Sequence, residues 1–234
     1  MTRLALPLAL VVSWSFISAL ATAGSVKGTV LFEGEPPTQA TLERKSDPKC
    51  SKGRQDEVIV VTKGKLRDVM VRIKHGSTVP HAPPTTPVTL DQHDCMYTPR
   101  VLGLVAGQRI ALRNSDNTFH NVHGTVVGKD LFNKPMPAKG AELSVDPSAA
   151  HADDVVALQC DVHPWMKAYA VVNDSPFFAV TGADGSFEIK DLPIGDYTLE
   201  AWHPVLGTKT LKISIGKAKR GEVTARFSYK QSEM

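Results

Sequence analysis

Apolar and polar residues alternate along this chain in short runs rich in Val, Ile, Thr and Phe, and these runs are separated by clusters of Gly, Pro, Asn and Asp. A period of two with such punctuation marks β-strands, and the 3.6-residue period of amphipathic helices is nearly absent. The expected strands are SVKGTVLF, EVIVVT, DVMVRIK, TPVTLDQ, VLGLVAGQRIALRN, TVVG, DVVALQC, YAVVND, FFAVT, SFEIKDL, GDYTLEAWH, TKTLKISI and EVTARFSYK. The pattern predicts an all-β fold. It suits antiparallel sandwiches, because parallel sheets need long crossover connections that the spacing does not offer.

The first residues break the pattern. MTRLALPLALVVSWSFISALATA has Arg3 as its only charge, an apolar stretch from Leu4 to Leu20, and the small-residue sequence Ala21-Thr22-Ala23 before Gly24. This predicts an export signal at 1–23, cleaved near Ala23, and a periplasmic or secreted protein. The stretch is interrupted by Pro7 and three serines and falls short of the roughly 20 apolar residues of a spanning helix, so no retained membrane anchor is expected. Loss of Arg3 takes the formal charge from +3 to +2. Such a balance gives no reason to expect a nucleic-acid partner, and the basic cluster Lys212, Lys217, Lys219 and Arg220 reads as a solvated turn.

HGSTVPHAPPTTP, residues 75–87, is proline-rich and lacks alternation, which marks a boundary; NDSPFF, residues 173–178, marks a second. Beyond it, the Asp184-Gly185 turn before an apolar strand and the hairpin LPIGDYTLEA resemble the second half of a carboxypeptidase regulatory-like, or transthyretin-like, domain. The first half of such a domain has a G-x-V strand and then an x-V-x-V strand, and GSVKGTVLFEGEPP and KLRDVMVRIKHG are similar to these. The resemblance implies one transthyretin-like β-sandwich formed by 24–80 and 174–234, with a second β domain at 81–173 inserted between its halves, as tolerated where chain ends lie close. Domains in series are the alternative, although 57 residues is thin for an independent sandwich.

Three cysteines in an exported chain permit one intramolecular disulfide and leave one thiol over. Cys50 in SDPKC and Cys95 in DQHDCMY lie in polar, turn-like surroundings and are expected to pair. Cys160 ends the apolar run VVALQC and is expected to remain a thiol, either buried and inert or a ligand.

Cys160, His163 and Met166 stand at C-x-x-H-x-x-M spacing, and His120 in NTFHNVHGT lies forty residues earlier. Two imidazoles, a thiolate and a weak thioether are the donor set of blue-copper electron-transfer sites. A zinc site of Cys160, His163, His120 and His123 has suitable spacing. On a strand, however, His120 and His123 point to opposite faces, so both reach one metal only across a bulge.

The loop CDVHPWM, flanked by DVVALQC and YAVVND, and the segment FHNVH make residues 88–173 resemble a cupredoxin, most like amicyanin or plastocyanin, except that Phe119 replaces a proline common in that family. The resemblance implies a Greek-key cupredoxin sandwich inserted into or next to the transthyretin-like one. It implies one type 1 copper bound by His120, Cys160, His163 and Met166, with Asn121 steadying the cysteine loop. It also implies an electron port at His163, Pro164 and Trp165, the loop histidine reaching the surface. The function so expected is non-enzymatic one-electron transfer to or from a redox protein such as a c-type cytochrome or a membrane oxidoreductase. The alternative is a copper-binding, storage or delivery module of a cell-envelope assembly. Of the other histidines, His75, His81, His93 and His151 read as solvated and His203 as a packing residue.

Overall fold

Alternating burial turns both ends of the chain into two facing sheets. The computed structural model describes residues 23–76, 81–216 and 221–234. The expected signal peptide, except its last residue, part of the proline-rich boundary (77–80) and the basic residues Lys217, Lys219 and Arg220 lie outside the described residues. In chain order the first nine strands are β1 (Gly24–Glu33), β2 (Val61–Thr62), β3 (Lys65–Leu66), β4 (Met70–His75), β5 (Val88–His93), β6 (Met96–Thr98), β7 (Val101–Val105), β8 (Ile110–Asn114) and β9 (His120–Val126). The remainder are β10 (Lys129–Met136), β11 (Glu142–Val145), β12 (Val155–Gln159), β13 (Lys167–Asn173), β14 (Phe178–Val180), β15 (Ser186–Leu192), β16 (Gly195–His203), β17 (Gly207–Ile215) and β18 (Glu222–Lys230).

In the first sandwich, β15 and β3 share one edge of β1, β18 pairs along the other, and β2 extends the sheet beyond β3. The facing sheet runs β14-β4-β16-β17. Period-two side chains fill the space between them: Val26, Val30 and Phe32 from β1, Phe187 and Ile189 from β15, Leu199 and Ala201 from β16, and Phe227 and Tyr229 from β18. The second sandwich is built by residues 88–173, with sheets β10-β9-β12-β13-β7 and β11-β8-β5-β6. Its core holds Leu90, Leu102, Leu104, Leu112, Val122, Val156, Leu158 and Val172.

The two sandwiches stack through their inner sheets. Strand β7 is buried at all five positions, because Leu102 and Leu104 face its own core while Val101 packs with Met70 of β4 and Val171 of β13. Gly103 is needed at this seam: a Cβ there would lie 2.4 Å from the Phe178 ring. Arg72 crosses the same seam, donating from Nε to Glu200 Oε1 at 2.7 Å and from Nη1 to the Val172 carbonyl at 3.3 Å. Both charges are nearly buried; removing Arg72 would strand Glu200, whereas removing Glu200 would leave Arg72 with Asp153 Oδ1 at 3.3 Å.

Three pairs are parallel, β1 with β18, β5 with β8 and β7 with β13, which corrects the expectation of purely antiparallel sandwiches. Their connections need no helix, since intervening strands of the opposite sheet serve as the crossover: β5 reaches β8 by way of β7. Strands β10 and β11 also escaped the pattern. Each sits at a sheet edge, where polar residues and Pro135 are tolerated and no two-sided burial writes alternation into the sequence. Conversely, only Val61–Thr62 of EVIVVT forms a strand, because residues 34–60 leave the first sheet as a long excursion.

His203 ends β16 with 1% of its surface exposed, and its Nδ1 accepts the backbone N–H groups of Val205 and Leu206 at 3.2 and 3.3 Å. Burial, aided by the positive charge of Arg100, pushes its pKa down to about 4. The folded state therefore resists a proton that the unfolded chain accepts near pH 6.5. Stability is complete above that value and declines as pH falls toward 4, by about 3 kcal/mol in all. His203→Asn retains an acceptor without titrating. Urea unfolding at pH 7 and pH 4 is expected to show the wild type losing about 3 kcal/mol more than this variant; parallel losses would remove His203 from the acid response.

Candidate metal centre

The donors meet at one end of the second sandwich because of hairpin geometry. Strands β12 and β13 pair antiparallel up to Gln159 opposite Lys167, and Cys160 extends the ladder by donating its N–H to the Met166 carbonyl at 3.2 Å. The Met166 N–H in turn donates to the His163 carbonyl at 2.9 Å, which folds the intervening residues into a tight loop. On the other side of β12, β9 brings His123 opposite Gln159 and so carries His120 to the loop. Residues forty apart in sequence thereby become neighbours.

His120, Cys160 and His163 are all buried and each offers a ligand atom within 4.8 Å of the others. The two Nδ1 atoms are 2.9 Å apart, and Cys160 Sγ is 3.7 Å from His163 Nδ1. A tetrahedral metal with bonds of about 2.0–2.1 Å to nitrogen and about 2.3 Å to sulfur separates its nitrogens by roughly 3.3 Å and sulfur from nitrogen by roughly 3.6 Å. The observed spacing is close to that requirement. Met166 is fully buried in the same core cluster as Cys160.

Both rings are gripped from behind. His120 Nε2 lies 3.0 Å from Asp116 Oδ2, and His163 Nε2 lies 3.1 Å from Asp47 Oδ2. With each Nε2–H given to a carboxylate, the Nδ1 atoms are left facing each other, and a shared proton or a metal cation must sit between them. Asp116 is fixed by the N–H groups of Asp94 and Cys95, each at 2.8 Å, and Asp47 by the Thr118 hydroxyl at 2.8 Å.

The electrostatics favour positive charge at the rings, from a proton or a metal cation, beside a thiolate. Burial opposes charge on His120, but its hydrogen bonds to Asp116 and Cys160 outweigh that and hold its pKa above the usual imidazole value. Burial likewise raises the Cys160 thiol, yet the His120 ring and the N–H groups of Asn121, His163 and Val162 overcome it and leave the thiol below its ordinary range. His163 is lowered by burial and by the neighbouring His120, which Asp47 only partly offsets. Thiolate is the form of cysteine that binds metal, and neutral imidazole the form of histidine.

Asn121 stands where it braces the loop: its Oδ1 accepts from Cys160 Sγ at 3.3 Å and from the Asp161 N–H at 2.8 Å. His123 faces away from the donors, toward Asp161 at 3.1 Å and Asp130 at 2.9 Å. Cys50 and Cys95 are bonded to each other, leaving Cys160 as the free thiol. Both bridged cysteines lie in turns, as their flanking residues suggested, Cys50 in the 3₁₀ turn Pro48–Cys50 and Cys95 between β5 and β6, yet both are buried beside the site, and Cys50 Sγ is 3.8 Å from His163 Nε2.

No family model and no curated protein matches this chain. Among solved structures it is similar to a purple cupredoxin from Nitrosopumilus maritimus, with 22% identity, 37% of this chain and 99% of that chain covered, and a TM-score of 0.32. It is similar also to a copper-containing nitrite reductase from Thermus scotoductus SA-01, with 20% identity, 42% and 26% covered, and a TM-score of 0.34. A third is a reduced Cu(I) form of an amicyanin variant at pH 4, with 22% identity, 44% and 98% covered, and a TM-score of 0.33. The overlaps take in less than half of this chain, which spans about a quarter of the nitrite reductase.

The surface position expected for His163 is corrected: 1% of it is exposed. Pro164 is exposed, and Trp165 is half-buried with Nε1 donating to the Cys95 carbonyl at 3.0 Å. The cover over His163 comes from the excursion between β1 and β2, far away in sequence. Asp47 and Asp116 were not singled out in the sequence. Their signals, an aspartate three residues before Cys50 and another four before His120, acquire meaning only once the distances are known.

Proposed function

We propose that the chain is an exported type 1 copper protein that carries single electrons and performs no substrate turnover. The observation that carries this reading is the convergence of two imidazole Nδ1 atoms and one thiol of lowered pKa in a buried pocket. Copper bound there would supply a Cu(I)/Cu(II) couple. The residues would contribute a rigid frame: Cys160 would be the thiolate donor, His120 and His163, their rings held by Asp116 and Asp47, the imidazole donors, and Met166 a weak thioether donor. Asn121 restrains the thiolate, and burial excludes water, which keeps reorganisation small when charge changes.

The remaining parts of the reading rest on sequence. CDVHPWM and FHNVH support the cupredoxin assignment, and the apolar leader supports export to the periplasm or beyond, with no membrane anchor retained. The strands of 24–80 and 174–234 would be a carboxypeptidase regulatory-like sandwich carrying the copper domain as an insertion. A small redox protein such as a c-type cytochrome, or a membrane oxidoreductase, would be the partner. Such partners use small interfaces, and the exposed residues Phe119, Val162 and Pro164 around the site would form the apolar part of one.

The test is to add Cu(II) to the mature protein, record visible and electron paramagnetic resonance spectra, reduce with ascorbate and re-oxidise. An intense thiolate-to-copper band that bleaches and returns is the expected result. Tight but colourless binding, or release of Cu(I) to an acceptor on reduction, would replace the carrier with a storage or delivery module. Met166→Leu is expected to retain the band and raise the reduction potential, since a weak donor that favours the oxidised state is lost; voltammetry giving the wild-type potential would remove Met166 from the donor set.

A further inference from the structure

The excursion between β1 and β2 does more than connect two strands. Residues 44–50 cross from the first sandwich to the metal end of the second, where three contacts pin them. Arg44, 2% exposed, donates to the Asp94 carbonyl at 2.7 Å and lies 5.9 Å over the Trp165 ring. Cys50 is bonded to Cys95. Asp47, between those anchors, meets His163 Nε2 at 3.1 Å and Thr118 Oγ1 at 2.8 Å.

We propose that residues 44–50 are a disulfide-pinned lid over the metal centre, and that Asp47 is a positioning residue that holds the His163 ring in its ligating orientation. This rests on the copper reading above. Two physical effects follow from one carboxylate. Accepting Nε2–H fixes the ring rotation and tautomer, so Nδ1 stays aimed at the metal when the metal is reduced or absent. The negative charge beside the ring also makes Nδ1 a better donor and favours the more positive oxidation state. Asp116 acts on His120 in the same sense from within the second sandwich. The first sandwich, far from being a passive support, therefore contributes a residue to the site through its own loop.

The lid also redirects access. With His163 covered by Asp47 and by the Cys50–Cys95 bridge, its Nε2 edge does not meet solvent. A partner touching this end would meet the lid, or the exposed Phe119, Val162 and Pro164, instead of the imidazole itself.

The experiment uses the mature full chain with Asp47→Ala and Asp47→Asn. In the metal-free protein, the rate at which iodoacetamide alkylates Cys160 reports whether the lid and ring close over the thiol, with no metal involved. In the copper-loaded protein, competition with a Cu(I) chelator and voltammetry report the ring's hold on the metal. Asp47→Ala is expected to alkylate several-fold faster, to bind copper about 10–100-fold more weakly, and to have a higher reduction potential. Asp47→Asn, which keeps an acceptor of the same shape without the charge, is expected to keep slow alkylation and still raise the potential. Wild-type alkylation, affinity and potential in folded Asp47→Ala would overturn the proposal. So would a potential unmoved by Asp47→Asn, should the alanine variant not fold. If the wild type takes up no copper while Asp47→Ala still exposes Cys160, the lid stands and the copper reading fails.

Discussion

Cys160→Ser is expected to abolish the intense visible band of the copper-loaded protein and to weaken copper binding by more than about 100-fold, because groups behind the ligands alone are worth 10–100-fold. The band belongs to the thiolate–copper bond, and a serine hydroxyl at this site has no comparable tendency to ionise or to bind a soft metal. The fold should persist. Serine is close to cysteine in size, and Asn121 Oδ1, which accepts from Cys160 Sγ at 3.3 Å, can accept from a hydroxyl instead. Far-ultraviolet circular dichroism is expected to be unchanged while the visible spectrum becomes blank. A surviving blue band would show that another sulfur holds the metal, and a collapse of the fold would show Cys160 to be a packing residue first.

The double variant Cys50→Ala/Cys95→Ala is expected to lose about 4 kcal/mol of stability. The bridge closes a loop with a sequence separation of 45, and the entropy removed from an unfolded chain by a loop of that length sets the estimate. Denaturant unfolding of the metal-free variant measures it. A loss below about 1 kcal/mol would mean that residues 44–50 are held by Arg44 and Asp47 without help from the bridge, since a typical disulfide contributes 2–4 kcal/mol. Alkylation of the denatured, unreduced wild type is expected to label Cys160 alone.

Loop closure also explains why the bridge matters at this place. The β1–β2 excursion is long and has little regular structure, the N-cap of its single short 3₁₀ turn being Asp47 itself. Without a covalent anchor its placement over His163 would depend on a few polar contacts at a partly wet boundary.

The sequence by itself determined the all-β class, because half-buried strands impose a period of two that no other element shares. It also determined the free thiol and its bonded pair, since Cys160 ends an apolar strand whereas Cys50 and Cys95 lie in turns. The Cys160–Met166 loop was readable for the same reason: residues within one hairpin turn are neighbours whatever the rest of the fold does. Edge strands β10 and β11 were not readable, because one bare edge and one wet face remove the alternation. Parallel pairing of β5 with β8 depends on which sheet the intervening strand joins, and no local pattern carries that.

Only the tertiary structure decided what surrounds the donors. Asp47 and His163 are 116 residues apart in sequence, and their contact exists because a loop from one sandwich reaches the end of another. A lone aspartate near a cysteine has the same composition whether it caps a 3₁₀ turn in solvent or grips an imidazole. Local spacing marks candidate donors that share a loop, whereas burial, carboxylate pairing and solvent access arise from long-range packing.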